Sequence, residues 1–194
     1  DSDLFSDLSN GYKEATGHTV MAITWYGYRH VTSKFPITKP DDMKGLKIRV
    51  PNAPAYLIFP EATGANPTPM AFSEVYLALQ QGVVDAQENP LTTIKAKRFH
   101  EVQSDISLTG HIINSTYTVV SGFRLGMLSD EDRQILDEVL KETADDATAA
   151  IVQAETELAD WFRGEGVTVN EVDRAPFIAA VAPAMTNGDQ PFPT

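Results

Sequence analysis

The chain has 194 residues, 42% of them hydrophobic, enough to bury one or two cores. Its formal net charge is -12 and its pI about 4.6, so the concentrated basic face that nucleic-acid binding needs is not expected. Cysteine is absent, which excludes disulfides, thiolate catalysis and cysteine-based zinc sites, and no stretch reaches the ~18–20 apolar residues of a helical membrane span.

The chain begins at Asp1 rather than Met, which is read as a mature chain or a fragment. "DLFSDLSNGYKEAT" predicts a short helix, Gly17 a turn, and "TVMAITWYGY" a strand rich in β-branched and aromatic residues, with Arg29 and His30 at its end. "KPDDMKG" predicts a brief helix, "LKIRV" a strand, and "NAPAYLIFPEATG" a helix capped by Asn52 and stopped at Gly64. "ANPTP" reads as extended chain, and "FSEVYLALQQG" as a helix capped by Ser73 and closed by Gly82.

"VVDAQ" then predicts a strand, and "NPLTTIKAKRFHEV" a helix entered through Asn89 and Pro90. "SDISLTGHI" and "STYTVVSG" predict two further strands. From Ser129 an apolar rhythm through Ile135, Val139, Ala147, Ile151, Leu158 and Trp161 predicts one very long helix or two in sequence, ending at Gly164. "GVTVNEV" predicts a last strand and "DRAPFIAAVAPAM" a last helix, with "TNGDQPFPT" as a loose tail. Strand and helix alternate, so the predicted class is α/β with a largely parallel sheet.

The chemistry on offer is sparse. Arg49, set among Leu46, Ile48 and Val50, is either a structural ion pair or a cation awaiting an anionic ligand, because ligands of α/β sheets bind outside the carboxyl ends of strands. Arg29 occupies a similar strand end. Asn89 is a helix cap or a donor to a ligand oxygen, Phe72 a core aromatic or the floor of a pocket, and His111 a structural hydrogen-bonding group or a ligand-facing one. His18, His30, His100 and His111 lack metal-ligand spacing, no serine lies in G-x-S-x-G, and the single glycines of "GLKIRV" and "GANPTP" make no phosphate loop. No catalytic group, metal or cofactor is expected. An enzyme anchoring a small carboxylate on Arg49, with His111, Glu88 or Asp85 as acid or base, is the alternative. An interaction module built on the long acidic helix is a weaker one, since it gives Arg29 and Arg49 no purpose.

Read together, "DDMKGLKIRVPNAPAY", "GANPTPMAFSEVYLALQQGVVDAQENPL" and "KRFHEVQ" resemble the DctP-type substrate-binding proteins of TRAP transporters, near the branch that binds sialic acid and other organic acids. The resemblance implies a two-lobed fold of the type II periplasmic-binding-protein kind, here lacking most of the first lobe. It implies residues 1–26 as a remnant of the first lobe and hinge strand, 27–114 as the second ligand-binding lobe, 115–154 as the return to the first lobe, and 155–194 as completion of the second. It also implies that Arg49 holds a ligand carboxylate, with Arg29, Phe72, Asn89, His111, Trp25 and Asn52 also facing the ligand. A non-catalytic periplasmic receptor follows, one that closes on a small organic acid and delivers it to membrane permease subunits. The full-length protein is expected to be a monomer. The chain as given is expected to expose Val119, Leu136 and Leu140 and to self-associate.

Overall fold

A computed structural model describes residues 3–186. Helix α1 (Asp3–Thr16) ends at Gly17, whose φ of +72° is the left-handed conformation glycine adopts without strain. Strand β1 (His18–Ser33) follows, then β2 (Lys47–Val50), α2 (Ile58–Ala62), β3 (Asn66–Pro69), α3 (Val75–Gln81), β4 (Ala86–Asn89) and α4 (Leu91–Ala96). The chain continues through β5 (Asp105–Ser121), α5 (Gly122–Leu125), α6 (Asp130–Gly164), β6 (Thr168–Asn170) and α7 (Ala175–Thr186). The sheet order is β3-β2-β4-β1-β5-β6. β2 runs parallel to β3 and β4, β5 runs parallel to β6, and β1 runs antiparallel to β4, so the sheet is mixed.

The chain divides into two compact units, residues 1–27 with 114–153 and residues 28–113 with 154–194. The long elements β1, β5 and α6 pass from one to the other. In the unit containing residues 28–113 the sheet carries apolar side chains on both faces. Val31, Ile48 and Ala86 pack with Ile37, Met43, Phe59 and Phe177, while Leu79, Ile94, Phe99 and Ile106 pack with Leu158 and Phe162 of α6. Each such fully buried large side chain contributes roughly 1.5–3 kcal/mol. In the other unit α6 is tied to β1 by the Trp25 amide, which donates to Thr148 Oγ1 at 3.1 Å.

Several boundaries differ from the sequence reading. Asn52 caps nothing, because a 3-10 turn at Pro54–Tyr56 precedes α2. Ser73 lies inside a second such turn, Phe72–Glu74, that leads into α3. Asn89 ends β4, and Pro90 takes the cap position of α4. "SDISLTGHI" and "STYTVVSG" form one strand, since Gly110 at φ +52° bends β5 without ending it. The long apolar rhythm is one 35-residue helix, and Ser129 does cap it, accepting from the Asp132 amide at 3.1 Å. Val119 is exposed as expected, but on α6 the exposed residues are Ile135 and Val139, with Leu136 and Leu140 half-buried.

Candidate ligand-binding site

The carboxyl ends of the parallel strands β2, β3 and β4 gather the polar side chains. Arg49 is the third residue of β2 and is only 3% exposed. Its Nε and Nη2 donate to the Met70 carbonyl, just past the end of β3, at 3.2 and 2.8 Å. Its guanidinium also lies 5.5 Å from the centre of the Phe72 ring, a cation–π contact. Among the described residues no carboxylate is within ion-pair distance of Arg49, and Nη1 makes no hydrogen bond. Burial lowers its pKa and the Arg29 charge lowers it further, while Glu88 offsets part of this. A guanidinium nonetheless stays charged.

Arg29 comes from β1, beside the last residues of β4, since His30 pairs with Asn89. Its Nε donates to Glu88 Oε2 at 2.5 Å, and Nη2 reaches Glu88 Oε1 at 2.8 Å, the Glu88 carbonyl at 2.7 Å and Asn89 Oδ1 at 3.1 Å. The guanidinium lies 5.0 Å from the Tyr56 ring centre, and its Nη1 has no hydrogen-bond partner among the described residues. Both side chains of this pair are buried, so removing either partner would strand a charge.

His111 completes the cluster. Its ring stacks on Phe59 with centroids 3.9 Å apart, Nε2 lies 3.3 Å from Glu88 Oε2, and Nδ1 lies 2.8 Å from Thr109 Oγ1. Burial lowers the His111 pKa although the bond to Glu88 opposes it, so the ring is neutral, Nε2–H donates to Glu88 and Nδ1 accepts from Thr109. Burial alone would raise the Glu88 pKa, but the hydrogen bonds from His111 and Arg29 and the arginine's charge outweigh it, and the carboxyl is held below its usual range. His30 is pushed down to about 3 by burial, with His111 and Arg174 adding to the effect, and its Nδ1 accepts from the Gly110 amide at 3.1 Å. Two guanidiniums therefore share one carboxylate, with both nearby histidines neutral. Arg49 is thus a buried guanidinium with no carboxylate of its own, and two further cations lie nearby: Lys97, whose Nζ is 5.4 Å from the centre of the same Phe72 ring, and Arg174, packed against Gly110 beside His111.

Of the residues singled out in the sequence, Arg29, Arg49, Phe72, Asn89 and His111 belong to this cluster or touch it. Arg29 is not the unpaired cation that its strand-end position suggested, because Glu88 takes it. Asn52 is exposed on the loop after β2 and makes no side-chain hydrogen bond among the described residues. Trp25 is half-buried and belongs to the other unit. Sequence reasoning missed Glu88 as a partner of Arg29, together with Tyr56, Gln87 and Thr32. The available signal was "AQEN", a strand whose four residues are all buried though three are polar.

The chain as a whole matches a known family. The chain belongs to the bacterial extracellular solute-binding proteins of family 7, the DctP family, whose pattern it matches over residues 1–189. It is 45% identical over 161 residues to the sialic acid-binding periplasmic protein SiaP of Vibrio cholerae, covering 82% of this chain and 50% of SiaP. It superposes with a TM-score of 0.93 on a TRAP periplasmic solute-binding protein from Roseobacter denitrificans with bound 3-deoxy-D-manno-oct-2-ulosonic acid (KDO), at 29% identity over 97% of this chain and 64% of that one. A TRAP periplasmic solute-binding protein from Ochrobacterium anthropi with bound L-fuconate gives a TM-score of 0.91 at 30% identity, over all of this chain and 64% of that one. The chain thus spans about half the length of the curated relatives it matches.

Proposed function

We propose that this chain is the greater part of a periplasmic TRAP-type solute receptor whose ligand is a sugar acid bearing one carboxylate. The observation that carries the reading is Arg49, a buried guanidinium that no carboxylate pairs. Arg49 uses Nε and one Nη2 hydrogen on Met70, which leaves Nη1 and the outer Nη2 hydrogen as a parallel pair. Such a pair matches the two oxygens of a carboxylate. Arg29 Nη1 and the second amide hydrogen of Asn89 are further donors, and Phe72 and Tyr56 offer ring faces to the carbon skeleton. The relatives support the class of ligand, since sialic acid, KDO and L-fuconate are all polyhydroxylated monocarboxylates.

In this reading residues 28–113 and 154–194 form the second ligand-binding lobe, and residues 1–27 and 114–153 belong to the first lobe and hinge. The partners are the anionic solute and the membrane permease subunits that receive it. The role is capture rather than turnover, because His111 and Glu88, the pair an acid–base mechanism would use, are bonded to each other and to Thr109 and Arg29.

The test is thermal-shift screening against N-acetylneuraminate, KDO, L-fuconate, succinate and the methyl ester of N-acetylneuraminate. At a concentration near 100 Kd, the right acid stabilises by about 2.7 kcal/mol. A monocarboxylate sugar acid is expected to give that shift and the ester none. Equal shifts from the acid and its ester refute the charge argument.

A further inference from the structure

Gln87, in the middle of β4, is 0% exposed and hydrogen-bonds to neither arginine. An amide in the centre of a sheet carries a desolvation cost that an apolar residue avoids, unless every polar atom is met. The register places Gln87 opposite Thr32 of β1 on one side and Arg49 of β2 on the other, so these side chains share one face of the sheet. Asn89 lies two residues on, along the same face.

The hydrogen bonds along this face have one possible sense. Arginine only donates, so the Asn89 atom 3.1 Å from Arg29 Nη2 is the amide oxygen. The Asn89 nitrogen therefore faces Gln87 and donates to its Oε1 at 2.6 Å. Gln87 Nε2 is then left to donate to Thr32 Oγ1 at 3.0 Å, and the Thr32 hydroxyl to donate to Gln103 Oε1 at 3.3 Å. Gln103 Nε2 ends the chain on the Val102 carbonyl at 3.1 Å. Thr32, Gln87 and Asn89 are each at most 3% exposed, so water offers them little alternative.

We infer that Gln87 and Thr32, backed by Gln103, are positioning residues that set the specificity of the site through Asn89. They hold its amide in one plane, with the oxygen on Arg29, one N–H on Gln87, and the other N–H directed to a ligand carboxylate. Without the Thr32 hydroxyl, Gln87 Nε2 has no acceptor, its amide turns to find one, and the inner N–H of Asn89 loses Gln87 Oε1. The Asn89 amide then rotates to find another, and the ligand-facing N–H leaves its place. The inference rests on the reading of Asn89 as a ligand contact, and extends it to residues that touch no ligand.

Thr32→Val cuts the relay with little change of volume and a side chain suited to a strand, and Thr32→Ser restores the hydroxyl. Without ligand, the side-chain amide signals of Gln87 and Asn89 in NMR are expected to be protected from exchange in the wild type and in Thr32→Ser, and unprotected in Thr32→Val. Unchanged protection in Thr32→Val overturns the relay. N-acetylneuraminate, KDO and L-fuconate are then titrated by calorimetry. Thr32→Val is expected to weaken the tightest of them about tenfold and Thr32→Ser less than about twofold, with no further loss when Thr32→Val is added to Asn89→Ala. Additive losses overturn the relay. An Asn89→Ala variant that binds like wild type overturns the ligand-contact reading instead, and the exchange data alone then decide the relay. Gln103→Leu breaks the chain at its far end should Thr32→Val not fold.

Discussion

Replacing Arg49 by lysine keeps the charge and removes the geometry. In the wild type the Met70 carbonyl occupies one edge of the guanidinium at 2.8–3.2 Å and leaves the opposite edge with two parallel N–H groups. An ammonium on a shorter stem is a point charge, and it cannot hold Met70 and bracket both oxygens of a carboxylate. Losing one of two charge-assisted hydrogen bonds, each about 1.5–3 kcal/mol net, predicts a rise in Kd of about 10–150-fold. Arg49→Ala loses both, and Arg29 is already held by Glu88, so a rise of at least about 150-fold is expected. Calorimetry with the acid that most stabilises the wild type measures both, and circular dichroism melts establish that the variants are folded. Arg49→Lys binding within twofold of wild type refutes the bidentate geometry, and Arg49→Ala doing so refutes the site.

Acid should destabilise the protein well above the pH at which ordinary carboxylates titrate. The His30 pKa falls from 6.5 to about 3 on folding, so the unfolded chain binds the proton first and stability drops as pH falls through that window. The full effect is about 5 kcal/mol between those limits. The lowered pKa of His111 acts in the same direction, and that of Glu88 adds to it below the unfolded carboxyl value. Urea melts from pH 7 to pH 4 measure the slope, and stability that is flat from pH 6.5 to 5 would contradict the buried neutral histidines. Glu88→Gln is expected to cost about 3–5 kcal/mol in the same assay, since it leaves Arg29 buried without its partner; a loss under about 1 kcal/mol would mean the pair is solvated. Gly122→Ala is expected to cost about 1–3 kcal/mol or more, because its Cβ would sit 2.0 Å from the Gly17 carbonyl oxygen, and an unchanged melting temperature would place that turn elsewhere.

What the sequence made legible was local. Elements with their own start and stop signals were found at the right places, among them the helix after Ser129 and the turns at Gly17, Gly64 and Gly82, where a positive φ requires glycine. Asn52 and Ser73 looked like caps but were not, because 3-10 turns at Pro54–Tyr56 and Phe72–Glu74 precede the two helices. The fate of Arg29 was not legible. Its partner Glu88 lies 59 residues away, and only the antiparallel register of β1 on β4 brings the two together. The same register explains why Gln87 escaped notice: its partner Thr32 is 55 residues from it in sequence, Gln103 is in turn 71 residues from Thr32, and each is ordinary alone.

The two arginines divide stability and function between them. Arg29 is satisfied by its own chain through four hydrogen bonds, so its burial is compensated whether or not a ligand is present. Arg49 has only a carbonyl and a ring, and neither carries a formal charge. Its desolvation cost is therefore borne by the free protein and relieved when an anion arrives, which puts part of the binding free energy into the folded state beforehand. Electrostatics act at two ranges. With a chain charge of -12, an approaching anion is repelled at long range, and only the local excess of positive charge at the strand ends reverses the sign. Lys97 on the Phe72 ring and Arg174 beside His111 extend that positive region beyond Arg49. The neutrality of His30 and His111 matters as much as the arginines here, since a protonated ring at either place would add a positive charge beside Glu88 or Arg174.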